Sequence, residues 1–201
     1  MKTKTKALGL MMAAMLLVTA TVFGTMAYLT STEEVVNTFT VGSVAIQLDE
    51  AKANTDGTLV QGADRVKANS YKLMPGYVYD KDPIVHFQPK SEASWLFIEV
   101  TNEIADIESK ENGYKSIAAQ ITDNGWTALE NTTGIYYKQV EANKSDAAVD
   151  YKVFEGFTVD GGVDGTALQA YNGKTVKVTA YAVQADGFTT ATEAWTTSFG
   201  K

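Results

Sequence analysis

From Thr175 to Val183 the side chains alternate without interruption. Val176, Val178, Ala180 and Ala182 fall to one side, and Thr175, Lys177, Thr179 and Tyr181 to the other. Successive side chains point to opposite faces only in an extended chain, so this pattern predicts a half-buried strand and rules against a helix. The same period returns within Thr38–Leu48, where Val44, Ile46 and Leu48 alternate with Ala45, Gln47 and Asp49. Gly42 interrupts that run and predicts a bulge or bend. In Trp95–Val100, Leu96, Ile98 and Val100 face one way and Trp95, Phe97 and Glu99 the other. Ile84–Phe87 and Val153–Val159 are read as further strands. Trp126–Leu129 and Ile135–Val140 form a hairpin across Asn131-Thr132-Thr133-Gly134.

Between these runs the chain is punctuated by turn chemistry. Asn54-Thr55-Asp56-Gly57 and Leu73-Met74-Pro75-Gly76 supply the residues that preset φ or accept φ > 0. Residues 50–69 are polar and read as a surface loop or hairpin. Helical spacing is brief. Ile117, Ala118 and Ile121 predict a short helix within Asn112–Ile121, and Val163–Tyr171 reads as a short helix or loop. Thr190 and Glu193 have the spacing of a capping box. The helix that follows would align Ala191, Ala194, Trp195 and Phe199 on one face. Many short strands with glycine-marked turns and few helices predict a mainly β antiparallel sandwich.

The first 27 residues follow a different logic. Lys2, Lys4 and Lys6 precede an uncharged stretch, Ala7–Phe23, and Gly24-Thr25-Met26-Ala27 places small side chains where a signal peptidase needs them. We expect a signal-peptide helix over residues 1–27, with Thr25 and Ala27 at the −3 and −1 positions and Tyr28 as the new N-terminus. Cleavage after Ala20 and retention as a membrane anchor are the competing readings, since the apolar run is nearly long enough to span. Residues 28–201 are then a single domain. Loss of the three lysines takes the formal charge from −7 to −10. That balance argues against nucleic acid and anionic membrane surfaces as partners. Membrane association is expected only through an uncleaved signal, and the destination is secreted, at the cell surface or in an extracellular matrix.

Chemistry-bearing residues are few. The chain has no cysteine, which excludes disulfides, thiolate metal sites and thiol catalysis. His86 is its single histidine, so a two-histidine zinc motif cannot be built and a serine triad would have to use that one ring. No G-x-S-x-G and no phosphate-binding glycine loop occurs. Asp160 and Asp164, in Asp160-Gly161-Gly162-Val163-Asp164-Gly165, are weak calcium candidates that lack the ligand alternation of an EF-hand loop. Trp95, Trp126, Tyr136, Tyr137, Tyr151, Phe154 and Trp195 are read as packing, with a sugar-binding platform as the alternative. The expectation is a protein that is not an enzyme and uses no cofactor.

Gly24-Thr25-Met26-Ala27-Tyr28-Leu29-Thr30, followed by Asn37-Thr38-Phe39-Thr40-Val41-Gly42, resembles the SipW-dependent exported proteins of Gram-positive bacteria, the TasA/camelysin (CalY) family. The resemblance continues through Leu73-Met74-Pro75-Gly76, Lys81-Asp82-Pro83, Ser94-Trp95-Leu96-Phe97-Ile98-Glu99-Val100 and Ala180-Tyr181-Ala182-Val183-Gln184-Ala185-Asp186-Gly187-Phe188. It implies a jelly-roll-like sandwich and processing by a signal peptidase of the SipW type. For the TasA branch it implies self-association, or association with related matrix proteins, into biofilm fibres in which the N-terminal segment of one subunit adds a strand to the next.

Val35, Val36, Phe39 and Val41 are the donor-strand anchors available here, while Ser31-Thr32-Glu33-Glu34 is polar for such a role. The competing arrangement is an N-terminal strand folded back into its own sheet. A surface or biofilm-matrix structural protein is the expected function. A monomeric surface adhesin or ligand-binding module is the alternative, and a metallo-endopeptidase like those of the camelysin branch comes third.

Overall fold

A computed structural model describes residues 30–32, 43–109 and 112–200. The signal, its cleavage positions Thr25, Ala27 and Tyr28, the bend at Gly42 and the anchors Val35, Val36, Phe39 and Val41 lie outside the described residues. Ten strands are described: β1 (Thr30–Thr32), β2 (Ile46–Asp49), β3 (Val78–Asp80), β4 (Ile84–Phe87), β5 (Ser94–Asn102), β6 (Thr127–Ala128), β7 (Ile135–Val140), β8 (Val149–Lys152), β9 (Gly156–Thr158) and β10 (Val176–Gln184). Three short α-helices accompany them: α1 (Ile117–Asp123), α2 (Gly165–Leu168) and α3 (Ala191–Phe199). None of the described helices is long and apolar enough to cross a membrane. The described residues are mainly β, and every strand pair among them is antiparallel.

The largest sheet has the order β1-β10-β5-β7-β6, a second the order β2-β4-β8, and β3 pairs with β9. Its backbone is the β10–β5 ladder, which runs from Val176 opposite Asn102 to Gln184 opposite Ser94. Alternation then sorts the side chains. Leu96, Ile98, Ala180 and Ala182 enter one core together with Ile46, Val85 and Phe87 of the three-stranded sheet, so the two sheets share a buried interior. Trp95, Phe97, Tyr181 and Val183 enter a second cluster on the opposite face.

That second face is covered by α3. Its first turn is capped by the Thr190 side chain, which accepts from the Glu193 N–H. The Glu193 carboxylate reaches back to the Thr189 N–H and hydroxyl, one residue earlier than a standard capping box predicts. Ala191 and Ala194 are buried, and Trp195 and Phe199 pack over Phe97 and Tyr181 with ring centroids 5.1–6.0 Å apart.

α1 closes the first core with Ile117 and Ile121. Its N-cap, Ser116, accepts from the Ala119 N–H. Trp126, just beyond its end, is fully buried and donates its indole N–H to the Lys152 carbonyl. Between β2 and β3 the chain makes an excursion pinned by bridges from Glu50 to Val66 and from Ala53 to Leu59, the hairpin option for residues 50–69. Gly57 turns it at φ 91°; a Cβ there would lie 2.6 Å from the Tyr79 Cα, so both conformation and space demand glycine.

Candidate functional site

The outer edge of β10 is the place where the fold offers backbone rather than side-chain chemistry. Its inner edge is hydrogen-bonded to β5 along its full length. On its outer edge, the described residues supply only β1, with Thr30, Ser31 and Thr32 opposite Val183, Ala182 and Tyr181. Toward Val176 the strand borders a groove walled by Ala68–Leu73 and by the segment from Leu168 to Thr175. Val176 and Val178 point toward the first core but are only partly buried, in contrast to Ala180 and Ala182. A strand edge that accepts a second strand, with half-covered apolar side chains alongside, is a template for strand addition.

Polar contacts fix this edge in place. The Glu103 carboxylate accepts from the Thr175 N–H and hydroxyl at 2.9 Å and from Lys174 at 3.2 Å, which holds the entry to β10. Those bonds to Thr175 draw the Glu103 carboxyl below the usual carboxylate range. Further along, the Tyr181 hydroxyl donates to Glu99 at 2.7 Å. Burial, then the Glu99 bond and charge, push that phenol up to about 12. Lys72, Lys174 and Lys177 line the groove together with the acidic Glu50 and Glu99.

A second polar constellation surrounds His86 on β4. Its Nδ1 lies 2.6 Å from Asp150 Oδ1 on β8, and its Nε2 lies 2.9 Å from Asp49 Oδ1 on β2. Two carboxylate acceptors are matched by two N–H donors, so the site favours the imidazolium form of the ring. Burial opposes the charged form, but the bonds and charges of Asp49 and Asp150 outweigh it and raise the His86 pKa. Asp49 also pairs with Arg65, which reaches on to Asp82 at 3.0 Å. Burial would raise the Asp49 carboxyl, yet Arg65 and His86 hold it below its ordinary value. In its protonated form the ring donates from both nitrogens to these two carboxylates.

Asp160 and Asp164 turn their carboxylates onto their own backbone. Asp160 accepts from the Gly162 N–H, and Asp164 caps α2 by accepting from Thr166 and Ala167. No group of three or more His, Asp or Glu side chains placed to hold a metal ion occurs among the described residues. Trp126 and Tyr151 flank Lys138, whose ammonium lies 5.6 and 5.5 Å from the two ring centroids and donates to the Asn124 carbonyl. The aromatics thus pack and hold a cation of the chain itself.

Sequence reasoning missed β8 and with it Asp150. The signal was present in Val149-Asp150-Tyr151-Lys152, which alternates like a strand but is too short and polar to stand out. Asp49 and Arg65 gave no signal, because the spacings that bring them to His86 are non-local.

No protein-family model, no curated protein and no solved structure matches this chain.

Proposed function

We propose that this chain is an exported structural subunit of the TasA/camelysin kind, with a jelly-roll-like sandwich, that assembles at the cell surface or in an extracellular matrix by strand addition along β10. The observation that carries this reading is the antiparallel pairing of Thr30–Thr32 with Tyr181–Val183 of the same chain, the folded-back arrangement whose register a neighbouring subunit's segment would reuse. Those residues lie immediately after the proposed cleavage site at Ala27, so the segment freed by the peptidase is the one that engages the sheet edge. Cleavage gives it a free end, and the same register then serves a neighbouring subunit.

Strand exchange of this sort replaces one set of backbone hydrogen bonds by an equivalent set, so its free-energy cost is small and concentration decides the outcome. Val35, Val36, Phe39 and Val41 supply apolar anchors. The protein is proposed to be non-enzymatic and to need no cofactor, its partners being a SipW-type peptidase and further copies or related subunits.

The test is to prepare the mature chain from Tyr28 and follow its assembly by size-exclusion chromatography and electron microscopy. The expected result is oligomers or fibres that grow with concentration and vanish when residues 28–36 are removed. A mature chain that stays monomeric at every concentration, or assembly indifferent to that deletion, overturns the reading.

A further inference from the structure

Three chain segments meet at the carboxylate of Glu50. Its Oε2 accepts from Lys81 Nζ, and its Oε1 accepts from Asn69 Nδ2 at 3.0 Å. The Glu50 and Lys81 side chains are only 5% and 11% exposed. Asn69 is held on both sides of its amide: Nδ2 also donates to the Ala51 carbonyl at 2.8 Å, and Oδ1 accepts from the Ala53 N–H at 2.8 Å. Lys81 is fixed at its backbone by a bond to the Glu155 carbonyl at 3.0 Å. Tyr71 lies alongside, its hydroxyl pushed up by burial and then by the Glu50 charge.

A primary amine, a carboxamide and a carboxylate that bridges the two nitrogens are the components of amide exchange. From this geometry we infer that Lys81 and Asn69 become joined by an intramolecular isopeptide bond, with Glu50 as the proton-transfer residue. Glu50 takes a proton from the lysine ammonium. The neutral Nζ then attacks Asn69 Cγ, and the Ala53 N–H stabilises the negative charge that develops on Oδ1. Glu50 returns its proton to Nδ2, the Cγ–Nδ2 bond breaks, ammonia leaves as the neutral molecule, and the second proton of Nζ stays on Glu50 as its carboxylic acid. The Nζ–Cγ bond replaces the bond lost, and no oxidant or other reactant is consumed.

Physical chemistry favours the product in this place. Holding both reactants on one carboxylate supplies the effective concentration that amide exchange lacks in water. A buried ion pair gives way to a neutral amide, which removes two charges that cost desolvation. The bond closes the loop between residues 69 and 81 and ties the 50–69 excursion to β3. A chain without cysteine thereby gains a covalent brace.

The experiment is mass spectrometry of the folded full chain, intact and after trypsin. The intact mass is expected one ammonia below the sequence value. Succinimide formation at Asn112-Gly113, Asn124-Gly125 or Asn172-Gly173 loses the same ammonia, so the peptides decide. The bond predicts a branched tryptic product joining residues 68–72 to residues 73–90, with no cleavage after Lys81. Glu50→Gln and Lys81→Arg are expected to release 68–72 as a free peptide and restore the full mass. Free 68–72 from the wild-type chain overturns the inference, as does loss of water with Lys81 joined to Glu50. An equally cross-linked Glu50→Gln chain overturns the role given to Glu50. The wild-type peptides answer the main question even if a variant fails to fold.

Discussion

At the scale of single residues, the polar cluster on β2, β4 and β8 ties charged groups to one another. His86 is the clearest case, because its two carboxylate partners make its charge a structural element. Its pKa is raised in the folded state above the ordinary 6.5. The stabilisation it contributes is therefore complete below pH 6.5 and disappears as pH rises through the folded-state value. Asp49 has the opposite sign: lowered below 3.8, it contributes above that pH and is lost as pH falls through its folded-state value. Both contributions are present together between those two limits. Replacing His86 by Ala should cost about 1–3 kcal/mol in urea unfolding below pH 6.5, as expected for a lost charged hydrogen-bond partner. The gap between the two proteins should narrow as pH rises. A gap that stays constant or widens would mean that the ring is held neutral.

At the scale of elements, each strand and helix owes its existence to a local pattern and its position to a distant partner. α3 forms because Thr190 caps it, and it remains because Ala194, Trp195 and Phe199 find the outer face of β5 and β10. Thr190→Ala should lower stability by about 1 kcal/mol, and Thr190→Asp should restore most of the loss, both read as shifts in the urea midpoint. A Thr190→Ala protein as stable as the wild type would show that packing alone holds the helix.

The long strands β5 and β10 were legible from the sequence because their alternation persists over many residues, and both core faces followed from it. The hairpin of β6 and β7 and the helices α1 and α3 were legible for similar local reasons. β3 and β8 were not. Val78–Asp80 is three residues long, and Val149–Lys152 carries two charges on an exposed edge. Elements so short have no periodicity of their own and exist through pairing with β9 and β4.

At the scale of the whole molecule, the large sheet separates two hydrophobic clusters, one shared with the three-stranded sheet and one beneath α3. Ile121 lies in the first and Ile135 in the second, so their truncations should be independent. Ile121→Val and Ile135→Val should each cost about 0.5–1.5 kcal/mol. The double variant should equal their sum to within about 0.5 kcal/mol by chemical denaturation. A large departure from additivity would show that the sheet transmits strain between its faces.

By itself, the sequence determined the β class, the strands with long alternation, the side chains each presents to either face, and the helix that ends the described chain. Those are steric consequences of neighbouring residues. Only tertiary structure brought Asp49 and Asp150, 37 and 64 positions from His86, to its two nitrogens, and placed Lys81 and Asn69 on one carboxylate. Such contacts depend on strand order and register, which backbone hydrogen bonding leaves degenerate until the cores are packed.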